Sequence, residues 1–360
     1  MNKKIDLDNI KQLESIDSQK IINATAELPS QCSKALNLIQ NFFLPPNFPT
    51  PRKIFILGTG GGSAVAGRLI YTLLFNDLLC PITIHQGYNV PAWVDKNTLA
   101  FVISNSGETE EIINAFKQVT IRRAKAIVIT SGGQLSELSD TCNIPTVIFP
   151  ANEMPARSMI AYLFIPVLMI LERLGLIEGH YRRQIEEVIE TLILIRNECN
   201  AGELIPNNPA KQIAAELYGK IPVIYGVSER TDVAALRWKN QICENSKILA
   251  HYNVFPDLNN DEIKGWDAPR GILNYLQPVF LRDFDDDAKI ISLQNKTKEI
   301  IEKKLVRKVI EVHAKGSSLM AKIFSLMYMG DWVSLYLAFL YTMDPGDARE
   351  GKTESERDEK

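Results

Sequence analysis

The chain has no cysteine pair in CxxC spacing. Cys32, Cys80, Cys142, Cys199 and Cys243 are scattered, an odd and dispersed set that excludes a zinc ribbon or a disulfide framework. They read as reduced thiols of a cytoplasmic protein. An excess of one charge is missing as well. Forty Lys and Arg stand against 43 Asp and Glu, for a net of −3, which leaves no electrostatic footprint for nucleic acid. Long hydrophobic runs are absent: the longest, residues 159–171, contains Pro166 and is too short to cross a bilayer, so it is expected as a buried helix. No basic amphipathic stretch suggests a membrane surface. The first eight residues turn acidic too early for a signal peptide.

What is present is a soluble, globular composition with 360 residues, enough for two domains of ordinary size. Residues 1–50 form a helical lead-in, with apolar spacing of three and four over 5–16 and 33–43. From 53 onward, short apolar runs (53–57, 82–84, 99–103, 124–130, 145–149) alternate with helical patterns (63–76, 110–119, 159–174). The alternation then begins again. A helix is predicted over 186–198, a strand over 221–226 and a helix over 232–246. Strands follow over 288–293 and 309–312, and a long helix over 318–341 closes the pattern. Continuously apolar strands between helices imply right-handed βαβ units and parallel sheets covered on both faces. The reading is an α/β protein of two related domains, 51–185 and 186–345. A polar tail over 346–360 is expected to be disordered.

Two loops carry the chemistry. Gly58-Thr59-Gly60-Gly61-Gly62-Ser63 and Ser104-Asn105-Ser106-Gly107-Glu108-Thr109 each follow a strand and lead into a helix. A helix N-terminus presents unpaired N–H groups and a positive dipole end to an anion. Glycines let the backbone approach phosphate oxygens, and hydroxyls donate to them. Neither loop carries a Walker lysine, which points to a small phosphorylated metabolite rather than a nucleotide. Tight turns with helix caps would use the same residue types. A dinucleotide fingerprint is the weaker alternative, because Ser63 takes the third position and no acid closes the strand at 82–84.

These loops, in this order, resemble those of the sugar isomerase (SIS) domain family. From about residue 50 to Pro345 the chain resembles the bifunctional phosphoglucose/phosphomannose isomerases, which consist of two such domains. Further matching pieces are 129–133, 237–241, 244–247, 252–256, 262–266 and 330–338, with Asp344-Pro345 at the end. The resemblance implies two SIS-type (doubly wound, flavodoxin-like) domains with parallel sheets flanked by helices. It implies a cytoplasmic homodimer interconverting glucose 6-phosphate or mannose 6-phosphate with fructose 6-phosphate, without metal or redox cofactor. Gly61, Gly62, Ser63, Ser104, Ser106 and Thr109 would hold the phosphate, with Arg157 adding a cation that grips two oxygens. The alternative for Arg157 is a helix-start residue pairing with nearby acids.

By the same resemblance Glu244 is the base that moves a proton between C1 and C2 through a cis-enediol. Read alone, it would be a solvated helix glutamate pairing with Lys239 or Lys247. The family's ring-opening histidine corresponds to Asn260, in Asn259-Asn260-Asp261-Glu262, and an amide exchanges no proton near neutral pH. The family's C-terminal lysine is represented by Lys352, displaced into the polar tail. His251 and His313 are the alternative proton carriers. Binding of a sugar phosphate with little or no turnover is the alternative function.

Overall fold

The apolar runs pair as parallel strands in two sheets, in a computed structural model that describes residues 5–45, 48, 50–150, 155–305 and 307–346. Helices α1 (Ile10–Ile16), α2 (Ile21–Ala26) and α3 (Leu28–Gln40) precede the first sheet. Its elements are β1 (Lys53–Gly58), α4 (Gly60–Leu74), β2 (Ile82–His85), β3 (Thr98–Ser104), α5 (Glu110–Ile121), β4 (Lys125–Thr130), α6 (Gly133–Thr141) and β5 (Thr146–Ile148). The strand order β2-β1-β3-β4-β5, all parallel, is the flavodoxin-like doubly wound order. Alternation along each strand supplies both faces. Ile54 and Ile56 face one apolar cluster, shared with α4 and α7 (Ile160–Arg173). Phe55 and Leu57 face another, closed by Phe116 of α5 and Leu135 of α6.

Helices α8 (Tyr181–Cys199) and α9 (Pro209–Leu217) lead to the second sheet. It contains β6 (Ile221–Val227), α10 (Asp232–Gln241), β7 (His251–Phe255), α11 (Glu262–Gly265), α12 (Arg270–Leu273), β8 (Leu276–Arg282), α13 (Ala288–Leu305) and β9 (Ile310–His313). Its order, β7-β6-β8-β9, repeats the first sheet less its last strand, again all parallel. Helix α14 (Leu319–Leu340) closes the fold. It is long and apolar enough to cross a membrane, but 94% of its apolar window is buried inside the protein, so it is a core helix.

The second half departs from the sequence expectation in particular places. Residues 288–293, expected as a strand, open helix α13, whose buried Gln294, Thr297, Ile301 and Leu305 fall at spacings of three and four. The second sheet takes β7 and β8 instead. The expected helix over 232–246 ends as an α-helix at Gln241 and continues as a π-helical turn, Ile242–Ser246. The expected disorder of the tail concerns residues that, from 347 onward, lie outside those described.

The two sheets meet through helices α4 and α10, which run antiparallel. At the start of α10, Asp232 accepts from Arg68 Nε (3.2 Å) and Thr72 Oγ1 (3.1 Å) in the later turns of α4. The far end of α10 therefore lies over the first turn of α4. That arrangement brings the end of one domain's helix to the strand-end loop of the other.

Candidate active site

The site begins where β1 stops. Gly58 packs against the backbone of Ser63: a Cβ built there would stand 2.8 Å from the Ser63 carbonyl oxygen. Gly60, at φ +76°, opens α4 in the left-handed region that glycine tolerates. Gly62 and Ser63 are buried within the first turn. A side chain on Gly61 would overlap Glu244 Oε1, so the carboxylate rests directly on the N-terminal turn of α4. A negative group is favoured there by the unpaired amides and by the helix dipole.

The second loop is held by its own hydroxyls. Ser104 Oγ and Thr109 Oγ1 lie 3.2 Å apart, Gly107 N donates to Ser104 Oγ at 3.1 Å, and Glu108 N donates to Ser106 Oγ at 3.2 Å. A third loop, Ser131-Gly132-Gly133, braces it. Ser131 donates twice to the Asn105 carbonyl, through N at 3.1 Å and Oγ at 2.7 Å. Gly107, at φ +72°, has no room for a side chain against the Gly132 carbonyl. In the sheet register Gly58 lies beside Ile103 and Ser104 beside Thr130, so the loops share one edge.

Glu244 sits in the π-helical turn, a distortion found often at functional sites. Its side chain is 38% exposed and meets Arg157 Nη1 at 3.6 Å, while the Arg157 side chain is 13% exposed. Trp238 and Ile242, on the same helical segment, are fully buried. Lys247 donates to the Glu244 backbone carbonyl, and Lys239 reaches Asn240 at 3.4 Å. Arg157 belongs to a 3₁₀ turn, Ala156–Ser158, before α7. Its Nε donates to Asn245 Oδ1 (2.9 Å) and its Nη2 to the Pro345 carbonyl (2.7 Å). Burial pulls this guanidinium below its ordinary value, and the adjacent Glu244 opposes the pull. Arg157 thus keeps company with the carboxylate and the C-terminal segment.

Asn260 follows a 3₁₀ turn after β7, is exposed, and donates from Nδ2 to Asp257 Oδ1 at 3.3 Å. His313 ends β9 and stacks on Phe284 with centroids 4.8 Å apart. That is the carboxyl edge of the second sheet, opposite to the end of α10 that carries Glu244. His251 begins β7 on the nearer edge, with Nε2 3.5 Å from Glu262 Oε2. Lys352 lies outside the described residues.

Sequence reasoning gave no role to the residues that hold Glu244 and Arg157 in place. Asn245 Nδ2 donates to Ser334 Oγ (2.8 Å), and Ser246 Oγ donates to the Ser334 carbonyl (2.6 Å). Arg237 grips Asp331 through Nε (2.9 Å) and Nη2 (2.8 Å). The available signal was Asp331 itself, a carboxylate in the middle of a long apolar helix.

Comparison with known proteins fits this geometry. The family described as "SIS domain" matches residues 49–171, and "Bacterial phospho-glucose isomerase C-terminal SIS domain" matches residues 206–350. A bifunctional phosphoglucose/phosphomannose isomerase of Caldicellulosiruptor bescii is 39% identical over 88% of this chain and 93% of its own. The chain belongs to the bifunctional phosphoglucose/phosphomannose isomerase family. A second member, from Thermoplasma acidophilum, is 35% identical over 80% of this chain and 84% of its own. Among solved structures, the C-terminal domain of the Francisella tularensis glucosamine-fructose-6-phosphate aminotransferase superposes with a TM-score of 0.68. It does so at 17% identity over 90% of this chain and 97% of that one, a likeness of fold. For this family member the two-SIS-domain architecture is therefore established by sequence and by structure alike.

Proposed function

We propose that the protein is an aldose–ketose isomerase that interconverts glucose 6-phosphate or mannose 6-phosphate with fructose 6-phosphate. The observation that carries this reading is the seat of Glu244 on the first turn of α4, between the phosphate-type loops of residues 51–185 and the helix supplied by residues 186–345. A hexose anchored by its phosphate on Ser63, Ser104, Ser106 and Thr109 would extend its C1–C2 end toward that carboxylate. Glu244 removes the proton from C2 of the open-chain aldose and negative charge passes to the carbonyl oxygen at C1; the hydroxyl proton then passes from O2 to O1, the carbonyl re-forms at C2, and the same carboxyl returns its proton to C1. Arg157, beside Glu244, supplies the positive charge that the enediolate requires. This assigns Arg157 to the reacting end of the sugar rather than to its phosphate. Relatives named as isomerases for both hexose phosphates support the substrate class. A cytoplasmic homodimer is part of the proposal, since the segment around Asn260 is exposed and available to a second copy.

The test is formation of fructose 6-phosphate from each aldose by the wild type and by Glu244→Gln. The substitution is expected to lower kcat by ~10²- to 10⁴-fold, as for loss of a general base, with binding of the sugar phosphate retained. Wild-type protein that binds both sugars without converting either, or a Glu244→Gln variant that turns over normally, overturns the reading.

A further inference from the structure

Beneath the candidate site lies a buried polar group that the proposed reaction does not use. Asp331 is 3% exposed and stands in the middle of α14, among apolar neighbours. Its carboxylate accepts both Arg237 bonds, and Gln241 Nε2 adds a third at 2.9 Å. Burial pushes the Asp331 carboxyl above its ordinary value, and Arg237 counters that push. Arg237, 2% exposed, spends its remaining reach outside the pair: Nη2 also donates to the backbone carbonyl of Arg157 at 3.2 Å. The Arg157 side chain then meets Glu244 at 3.6 Å and Asn245 at 2.9 Å.

A buried ion pair is weak evidence for stability, because desolvation offsets most of the attraction. Asp331 and Gln241 fix Arg237, and Arg237 alone reaches the carbonyl of another domain's turn, an arrangement that calls for a different account. We infer that Asp331, Arg237 and Gln241 are positioning residues, which hold the Arg157 turn so that its guanidinium faces the Glu244 carboxylate across the domain boundary. The inference rests on the isomerase reading and deepens it. The planar guanidinium of Arg237 suits this task, since it can serve a carboxylate with two donors while a third direction remains available.

The experiment replaces the whole group by apolar residues of similar size, Arg237→Met, Gln241→Leu and Asp331→Leu together. Such exchanges of buried ion pairs are often neutral or stabilising, so a purely structural role predicts a folded enzyme with wild-type turnover. Positioning predicts a folded enzyme whose kcat falls by ~10- to 100-fold, the scale set by about 1 Å of misplacement. KM for the hexose phosphate and inhibition by inorganic phosphate should stay within about threefold, because the phosphate loops are not touched. Affinity for 5-phosphoarabinonate, whose carboxylate reproduces the two oxygens of the enediolate, should fall with kcat. If the triple variant does not fold, Asp331→Asn, which keeps the shape and removes the charge, is read by the same two ratios. Unchanged kcat, or losses shared equally by phosphate and the aldonate, overturns the inference. The isomerase reading itself fails only through the wild type and Glu244→Gln.

Discussion

The two sheets follow one plan, and their equivalent strand ends make the comparison direct. In the first domain β1 ends at Gly58 and in the second β6 ends near Gly226. Each glycine lies against a carbonyl five residues on, 2.8 Å from Ser63 O and 2.7 Å from Thr231 O for a Cβ built there. After β3 the first domain offers Ser104, Ser106 and Thr109. After β8 the second offers Asp283, Asp285 and Asp286. These aspartates pair with the protein's own cations: Arg230 binds Asp283 and meets Asp286 at 2.7 Å, while Lys322 binds Asp285 and lies 3.1 Å from Asp283. Where the first domain places hydroxyls and amides, the second has filled the equivalent place with built-in carboxylates. The fold supplies the edge, and the residues on it decide whether a ligand can enter. The second domain contributes to the candidate site from its opposite edge, through the end of α10.

Alanine at two equivalent glycine-bearing loops should break this comparison most sharply. Gly61→Ala places a methyl group on Glu244 Oε1, the movable end of a side chain, so the fold survives while the carboxylate is displaced. The expected result is a loss of ~10²-fold in kcat, as for a misplaced catalytic group, with the unfolding midpoint nearly unchanged. Gly226→Ala instead meets the rigid Thr231 backbone. It should cost about 1–3 kcal/mol of stability, the usual penalty of overpacking, and leave kcat of the folded enzyme intact. Steady-state kinetics beside urea unfolding checks both, and a reversed pattern would remove the functional distinction between the loops.

The same comparison explains what could be read in the sequence. The first domain was legible because its strands are short apolar runs that stop at Gly or Ser, as in 53–58 and 99–104. In the second, β8 contains Pro278, a residue that argues against an interior strand, and β7 is polar and partly exposed, so neither pattern stood out. Helix α13 begins with Ala-Lys-Ile-Ile-Ser-Leu, whose first residues fit a strand as well as a helix. Glu244 was identified through its resemblance to a family motif. Its neighbours Arg157 and Asn245 are 88 residues apart in the chain, and only the packing of α10 on α4 and α14 brings them together. Local spacing carries no trace of such a contact.

A smaller effect is expected from opening the plugged loop. Asp283→Asn leaves Arg230 and Lys322 short of one negative charge. Breaking a fully buried pair costs ~3–5 kcal/mol, and the remaining aspartates with the partial exposure of Arg230 reduce this to about 2 kcal/mol. Turnover should stay within about twofold, since the loop lies on the edge away from Glu244. Sulfate should recover part of the lost stability by standing where the carboxylate stood, and should do less for the wild type. Equal responses of the two proteins to sulfate would mean that the aspartate does not occupy an anion's place.

The pH dependence of that stability difference is the smallest expected effect. Burial pushes Asp283 up, but donation from the Asp285 amide, Arg230 and Lys322 outweighs it and holds the carboxyl below its ordinary 3.8. A depressed folded value means that its stabilisation is complete above about 3.8 and is lost as pH falls through the folded value. Asp286 behaves in the opposite sense: burial raises it, so its contribution is lost as pH rises. The Asp283 charge adds to that rise, so Asp283→Asn brings Asp286 closer to its ordinary value, and part of its effect remains in the difference at higher pH. The Asp283 part of the stability gap should close progressively as pH falls below about 3.8, where Asp283 takes up a proton and comes to resemble asparagine. Urea unfolding at stepped pH measures the gap. If the gap shows no decline as pH falls below about 3.8, Asp283 acts through its shape, and the charged plug of the second domain is no counterpart to the hydroxyls of the first, which carry no charge to titrate.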